Sequence, residues 1–377
     1  MGLGIGRFAY ALILPDMKAS LAWSYSQAGF MNTANAAGYL LGAIAAAWTA
    51  RRVGEFACVM GGTLACVAGL AVSAATGNFA ILTIARLVTG SGAAIAFVSG
   101  GALAAAIAQR RPSRSAFLLG LFYVGPGMGI VVSGVLTPVL LGALGPGSWW
   151  AAWAMLAAVA VVAAVVLSSA RAAAGLHATP GTGSGKAFPI ASALPVLVGY
   201  AAFGVGYIAY MTFMIAFVRD GGAGPALQAS FWAVLGIGAI AWPWVWSFAI
   251  ARMTGGRAVG FLTAVTALGA LLPLLSLSIP VLFLSALVFG SAFFAVVAAT
   301  TAFVRRNLPR QAWPAGIGLM TVSFGLGQTF GPVGMGAITD LSGGLSAGMW
   351  ASVAVLALGA ALAALQPDLH RADAGQR

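Results

Sequence analysis

The feature that most constrains this fold is a series of long apolar stretches, separated by short segments rich in Arg, Pro and Gly. Hydrophobic residues make up 61% of the chain and charged residues only 6%, whereas soluble proteins carry about one quarter charged residues. Because these few polar groups cannot cover a globule of this size, lipid must solvate much of its surface. The sequence predicts an all-α integral membrane protein.

The apolar stretches predict twelve helices, near 1–15, 25–50, 56–76, 79–108, 115–143, 148–169, 191–218, 225–250, 257–277, 280–304, 313–338 and 344–366. A helix that crosses a bilayer needs about 20 residues, so all but the first are long enough. Compared with the seventh, the first is short by roughly ten residues at its start. We therefore expect an N-terminally truncated first helix, from a mis-assigned start or a shortened chain.

A polar, Gly-rich segment divides the predicted helices into six and six. It reads ARAAAGLHATPGTGSGKAFP and covers 170–189. The predicted organisation is an N-terminal six-helix bundle at 1–169, a linker at 170–190, a C-terminal six-helix bundle at 191–366 and a tail at 367–377.

The two halves also repeat each other. Gly4, Gly6, Ala9 and Tyr10 match Gly204, Gly206, Ala209 and Tyr210. Four further matches follow in the same order: QAGF at 27–30 with QASF at 228–231, ARRVG at 50–54 with ARMTG at 251–255, GS at 90–91 with GS at 290–291, and GPGMG at 125–129 with GPVGMG at 331–336. Such repeats predict two bundles related by a pseudo-twofold axis along the membrane normal.

The basic residues predict the orientation. With loops assigned alternately to the two sides, one side collects fourteen basic residues and the other only Lys18 and Arg219. The positive-inside rule then makes the linker and both termini cytoplasmic, in the cell (inner) membrane. The net charge of +12 does not indicate a nucleic-acid partner, because the basic residues form short clusters between apolar runs.

Three motifs carry a resemblance to the major facilitator superfamily. RLVTGSGAA at 86–94 resembles the signature of the fourth helix of that superfamily, and GPGMG at 125–129 is similar to the antiporter pattern of the fifth. ARRVGEF at 50–56 resembles the loop after the second helix, but has Arg51 where Asp is usual and Glu55 where a basic residue is common. GIGRFAY and FGLGQTFGP look most like the uncharacterised YbfB/YjiJ-like subgroup, which implies transport without naming a substrate.

The motifs supply candidate conformational residues. Prolines inside helices bend them, and small residues allow close packing between the halves. These candidates are Gly90, Gly125, Pro126, Gly331, Pro332, Arg51, Arg52, Gly54, Arg252 and Gly255.

Two arginines are predicted to lie at membrane depth. Arg7 is nine residues from Asp16 and Arg86 eight from Asn78, which places both roughly 12–13 Å below the outer helix ends. The resemblance puts helices 1, 4, 7 and 10 around a central cavity. Both arginines are therefore candidates for substrate binding or coupling. The alternative is a structural role, in which either arginine hydrogen-bonds carbonyls freed at a Gly-rich bend.

Tyrosines and amides complete the candidate site. Tyr10 follows Arg7 by three residues and should share its helix face, and Tyr207 and Tyr210 form the matching pair on helix 7. Their rings and hydroxyls suit a small organic molecule, although simple packing is an equal alternative. Asn32, Asn35 and Gln328 are expected to form inter-helix hydrogen bonds.

The leading function is a monomeric secondary transporter that works by alternating access, with or without coupling to an ion gradient. All six acidic residues fall at helix ends, loops or the tail, so the arginines have no deep carboxylate partner and an organic anion is the expected substrate. The alternatives are an efflux antiporter for apolar or cationic compounds and a non-transporting membrane sensor. We expect no enzyme activity, metal or cofactor, because no nucleophile, base or His/Cys cluster lies at membrane depth.

Overall fold

In the computed structural model, the described residues are 2–110, 114–169, 190–309 and 312–369. These residues form twelve α-helices and no strand, which confirms the all-α prediction. Of the predicted linker and tail, only residue 190 and residues 367–369 are described; the rest lies outside the described residues.

The first half contains α1 to α6, and the second half contains α7 to α12. Their bounds are α1 Tyr10–Ser20, α2 Tyr25–Val53, α3 Glu55–Ala75, α4 Phe79–Gln109, α5 Ser115–Leu144, α6 Trp149–Ser168, α7 Leu194–Asp220, α8 Pro225–Arg252, α9 Arg257–Leu275, α10 Ile279–Asn307, α11 Trp313–Ser342 and α12 Leu345–Ala364. A single π turn, Gly4–Phe8, precedes α1. We call the side where α6 ends and α7 begins the linker side, and the opposite side the far side.

The first helix differs most from its prediction. It ends at Ser20 rather than near residue 15, because the helix continues through Pro15. The turn that follows is closed by a capping box, in which the Ser24 hydroxyl accepts from the Gln27 amide and the Gln27 side chain accepts from Ser24. This cap fixes the start of α2. With 11 residues in α1 against 27 in α7, the first helix is the shorter of the two.

Among the described helices, nine are long and apolar enough to cross a bilayer: α3 to α10 and α12. Helices α2 and α11 are long but less apolar, and they pack against each other between the two halves. At their crossing, a Cβ on Gly29 would overlap the carbonyl group of Pro332. Their low hydropathy follows from this position, because small and polar residues mediate helix contact where protein replaces lipid.

The two halves pack their helices in the same way. The pairs α2–α4, α3–α4 and α3–α6 of the first half recur as α8–α10, α9–α10 and α9–α12 in the second. The correspondence extends to single residues: a Cβ on Gly90 would overlap the Asn35 carbonyl, and one on Gly290 would overlap the Leu235 carbonyl. The repeat seen in the sequence therefore corresponds to equivalent backbone contacts.

The far-side ends of the two halves are joined. The Asp340 carboxylate, near the end of α11, accepts hydrogen bonds from the backbone amides of Tyr25 and Ser26 at 2.8 Å each. These amides belong to the first turn of α2, whose free N–H groups favour a negative charge. Helices α1 and α7 also pack together between the halves. One carboxylate thus caps a helix of the opposite half.

We expect alanine at Gly90 or Gly290 to destabilise the protein by similar amounts, about 1–3 kcal/mol, because each new Cβ would overlap a carbonyl of the neighbouring helix. The matched control is Gly61→Ala in α3, where a Cβ meets nothing within 4 Å. Thermal unfolding of the purified protein in detergent measures the effect. A neutral Gly290→Ala beside a destabilising Gly90→Ala would contradict the equivalence of the two halves.

Candidate functional site

A cavity with a volume of about 570 Å³ lies between the two halves. Helices of both halves contribute to it, and it extends along the linker-side portions of α4 and α10. Its lining is dominated by aromatic rings and consists of Leu3, Arg7, Phe8, Tyr39, Phe97, Gly101, Ala105, Pro126, Phe203, Tyr207, Trp242, Phe293, Phe294, Val297, Ala298, Thr301, Arg305 and Phe324.

Arg7 brings a buried positive charge to this cavity. Its side chain is 3% exposed, and its Nε and Nη2 atoms have no hydrogen-bond partner in the protein. The guanidinium lies 4.9 Å from the centre of the Tyr39 ring, a favourable cation–π distance. No acidic side chain of the described residues contacts Arg7. The charge is therefore stabilised by ring faces and not by an ion pair.

The depth of Arg7 follows from the repeat. Tyr207 occupies the matching position, lines the same cavity, and lies thirteen residues from each end of α7. Arg7 is therefore near the middle of the membrane. The sequence placed it nearer the far side, because the first helix was expected to end near residue 15. The π turn that carries Arg7 packs tightly on α5, because a Cβ on Gly4 would overlap the Pro126 carbonyl.

Arg86 does not line the cavity, and the expectation that both arginines would face it is corrected. Arg86 is 2% exposed and donates from Nη1 to the Gly6 carbonyl at 2.9 Å. Its guanidinium lies 5.0 Å from the Tyr10 ring centre and 5.3 Å from that of Trp153. Because a π turn disturbs the regular α-helical hydrogen bonds, the Gly6 carbonyl is available to this side chain. The contact holds α4 to the π turn.

The three tyrosines also separate. Tyr207 lines the cavity and donates to Oε1 of Gln328 at 3.0 Å. Tyr10 lies within the first half and donates to the Ala28 carbonyl at 2.8 Å. Tyr210 lies within the second half, where its hydroxyl is 2.8 Å from Oγ of Ser285. The expectation that Tyr10 and Tyr210 would line the cavity is therefore corrected.

The two asparagines of α2 connect helices. Asn32 donates to the Thr212 hydroxyl of α7 at 2.6 Å, a contact between the halves. Asn35 donates to the Arg86 carbonyl at 3.1 Å and to the Gly6 carbonyl at 3.4 Å. Together with Arg86, Asn35 therefore links α2, α4 and the π turn.

Tyr39 and Arg305 line the cavity but were not identified from the sequence. Tyr39 follows Asn32 and Asn35 at spacings of seven and four residues, so all three share one face of α2; this periodicity could have identified it. Arg305 was assigned only to the basic cluster of its loop. It is exposed, lies in the last turn of α10, and its guanidinium is 5.3 Å from the Trp313 ring centre. It therefore stands at the linker-side end of the cavity.

The motif residues lie around the cavity and at helix ends. Pro126 lies inside α5 and lines the cavity, preceded by the half-buried Gly125. Pro332 lies inside α11, where a Cβ on Gly331 would come within 2.6 Å of the Val205 carbonyl oxygen. Both proline-containing helices therefore take part in close contacts.

The loop motifs lie on the linker side, away from the cavity. Arg51 and Arg52 are exposed in the last turn of α2, which ends at Gly54 with φ of 86°. Arg252 ends α8 with its guanidinium 3.7 Å from the Phe248 ring centre. Gly255, with φ of 57°, donates to the Asp368 carboxylate. Positive φ favours glycine at both turns.

Nothing in the described part of the chain resembles a metal centre. The residues that the structure describes contain no group of three or more His, Cys, Asp or Glu side chains able to hold an ion. Cys58 and Cys66 are both buried and unpaired. The cavity lining supplies instead one buried cation, tyrosine hydroxyls and a large area of aromatic carbon.

Comparison with known proteins identifies the fold. The chain is similar to a bacterial homolog of the human lysosomal transporter Spinster, crystallised in an inward-facing and occupied conformation, with a TM-score of 0.69 and 16% identity over 97% of this chain and 96% of that one. A mutant of the peptide transporter POT in complex with sulfate gives a TM-score of 0.72 and 17% identity over 98% and 94%. A mutant of the nucleoside transporter NupG gives 0.67 and 11% over 96% and 97%.

These similarities show the fold alone, a two-bundle transporter fold that is shared by proteins with different substrates. No curated protein matches the chain. The sequence profile of a family described as the uncharacterised MFS-type transporter YbfB matches residues 1–364. The chain therefore belongs to the YbfB-type family of major facilitator superfamily transporters, which are multi-pass membrane proteins.

Proposed function

We propose that this protein is a secondary active transporter that carries a small organic anion across the cytoplasmic membrane by alternating access. The observation that carries the proposal is the environment of Arg7. It is a buried guanidinium in the middle of the membrane, on the wall of a cavity. No described acidic residue contacts it.

The energetics of a buried charge favour an anionic ligand. Removing an unpaired cation from water costs several kcal/mol, which the protein accepts only where pairing or solvation offsets it. A carboxylate can accept two parallel hydrogen bonds from one guanidinium, which is the strongest common pairing for arginine. A substrate carboxylate at Arg7 would supply this pairing, and the charge would otherwise remain solvated only by ring faces and water.

The remaining charges of the cavity agree with this substrate class. Arg305 adds a second cation at the linker-side end, and no acidic residue is among the described lining residues. A cavity of one charge sign raises the local concentration of oppositely charged solutes. The described lining has no acidic side chain. Coupling of transport to an ion gradient would therefore depend on the charge of the substrate itself and not on a proton relay through carboxylates.

The way the two halves meet supports alternating access. The cavity extends toward the linker side, whereas the far-side ends are joined by the Asp340 contacts and by the crossing of α2 with α11. Rocking of the two halves would break the far-side contacts and close the linker side around the central site. Both walls of the cavity belong to one chain, so a monomer suffices for transport.

The rival functions predict different behaviour. An exporter of cations would need a carboxylate to pair its substrate, and the described lining has none. An exporter of neutral apolar compounds would transport without regard to Arg7. A sensor would bind without transport. Counterflow of a radiolabelled anion in proteoliposomes distinguishes the proposed carrier from all three.

We expect Arg7→Gln to reduce the affinity for organic anions by about 10-fold or more, the loss of one charge-assisted hydrogen-bonding group. Because Arg7 is poorly paired within the protein, its replacement should not lower the thermal unfolding temperature. Binding to the purified protein and counterflow in proteoliposomes measure the first effect, and thermal unfolding in detergent measures the second. Unchanged binding of anions by Arg7→Gln would contradict the proposal.

Arg86→Gln is the matched control, because Arg86 is equally buried but packs within the first half. We expect it to lower stability by about 1–3 kcal/mol through loss of the bond to the Gly6 carbonyl and of the ring contacts. The affinity of the folded fraction should stay within about threefold of the unmodified protein. Loss of anion binding at unchanged stability would instead assign Arg86 to the substrate site.

The proposed orientation is tested by cysteine labelling of exposed positions. Ser20 lies at the far-side end of α1 and Thr254 lies in the linker-side turn between α8 and α9. A membrane-impermeant maleimide should label Ser20→Cys in intact cells, and Thr254→Cys only after permeabilisation. Cys58 and Cys66 are buried and should contribute little background. Labelling of Thr254→Cys from outside would reverse the proposed topology.

A further inference from the structure

The aromatic residues of α7 form a stripe on one face of the helix. Tyr200, Phe203, Tyr207 and Tyr210 follow at spacings of three, four and three residues, which brings their side chains to the same side. Phe203 and Tyr207 stack with ring centroids 5.1 Å apart and planes 12° apart. The stripe therefore presents nearly parallel rings, two of which line the cavity.

Rings from two further helices continue this wall. Phe324 of α11 stacks on Tyr207 at 5.4 Å and 18°, and Phe293 of α10 stacks on Tyr207 at 6.0 Å and 12°. All of these residues line the cavity. Across it, Phe8 of the π turn meets Phe293 edge-on at 6.0 Å and 82°. Phe8 directly follows Arg7, so the guanidinium and the aromatic wall adjoin.

The polar groups of the lining are few. Apart from Arg7 and Arg305, the polar side-chain groups among the described lining residues are the hydroxyls of Tyr39, Tyr207 and Thr301 and the indole N–H of Trp242. The Tyr207 hydroxyl is already engaged with Gln328. A sugar or a nucleoside would bury several hydroxyls without partners, at a cost for each one. The cavity therefore suits a substrate whose body is apolar.

The charges restrict the substrate further. Arg7 offers one buried cation, and the described lining contains no carboxylate that could pair a substrate ammonium group. Burying an unpaired ammonium is strongly unfavourable. Amino acids and peptides, which carry an ammonium beside their carboxylate, are therefore disfavoured in comparison with simple carboxylates.

We propose that the substrate is an aromatic monocarboxylate, bound with its carboxylate at Arg7 and its ring against the wall formed by Phe203, Tyr207, Phe293 and Phe324. This inference rests on the proposed anion-carrier function and specifies the substrate body. Stacked and edge-on ring pairs add binding free energy beyond the burial of area. A volume of about 570 Å³ accommodates one or two fused rings and falls within the range of small-molecule sites.

A matched ligand series tests the inference on the unmodified, full-length protein. The probes are 2-naphthylacetate, its saturated analogue decahydro-2-naphthylacetate, the amide 2-naphthylacetamide and the zwitterion 2-naphthylalanine, each titrated into purified protein by calorimetry. We expect 2-naphthylacetate to bind about 3- to 10-fold more tightly than the saturated acid. It should bind at least about 10-fold more tightly than the amide or the zwitterion.

Variants then assign the ring preference to the wall. Phe293→Leu and Phe324→Leu should each remove the preference for the aromatic over the saturated acid while keeping that for the acid over its amide. Phe231→Leu is the control, because Phe231 of α8 is fully buried and is not among the residues that line the cavity. Its ligand preferences should match those of the unmodified protein.

Different outcomes would contradict the anion-carrier function and the aromatic nature of its substrate. Equal binding of the aromatic and saturated acids, with the amide still rejected, would overturn the aromatic assignment and leave the anion carrier standing. Binding of the amide as tightly as the acid would overturn the anion carrier itself. Tight binding of 2-naphthylalanine would overturn the exclusion of zwitterions. These comparisons need no variant, so they remain decisive even if a phenylalanine substitution prevents folding.

Discussion

The structure depends on how helices attract one another in lipid. Apolar side chains gain little there by leaving lipid for protein, so association relies on close backbone approach and on hydrogen bonds between helices. Glycine allows such approach within the halves, as at Gly90 and Gly290, and between them, as at Gly29. Large rings such as Phe203 and Phe293 line the cavity that remains between the halves. The distribution of small and large residues thus determines both the contacts and the site.

Two arginines at similar depth have different environments. The Arg86 guanidinium donates a hydrogen bond to the Gly6 carbonyl and lies near two aromatic rings, so these contacts within the first half stabilise its charge. Both arginines leave Nε and Nη2 without a hydrogen-bond partner, but Arg7 lies on the cavity wall. A buried cation is a functional candidate by default, yet its position relative to the cavity decides whether it is available to a ligand. In this chain the distinction comes from one π turn, which carries Arg7 and offers its Gly6 carbonyl to Arg86.

Helix positions could be predicted from the sequence more closely than the directions of side chains. The lengths of the apolar runs and the charges between them fix eleven helices to within a few residues, and the repeat identifies equivalent crossings such as Gly90 and Gly290. The expectation that Tyr10 would share a face with Arg7 assumed a regular α-helix. The π turn Gly4–Phe8 intervenes and shifts the register by about one residue, so Tyr10 points into the first half. No pattern in the sequence indicates that turn.

The strength of the far-side contact depends on few side chains. Two of the donors to Asp340 are backbone amides of α2, at Tyr25 and Ser26. Any residue except proline retains a backbone amide, so these two hydrogen bonds persist through most substitutions in α2, and only the third, from the Ser26 hydroxyl, depends on a side chain. The acceptor of all three is a single carboxylate on α11. A change of one codon at Asp340 would therefore weaken the far-side contact without altering the cavity or the backbone of the helix that the carboxylate caps.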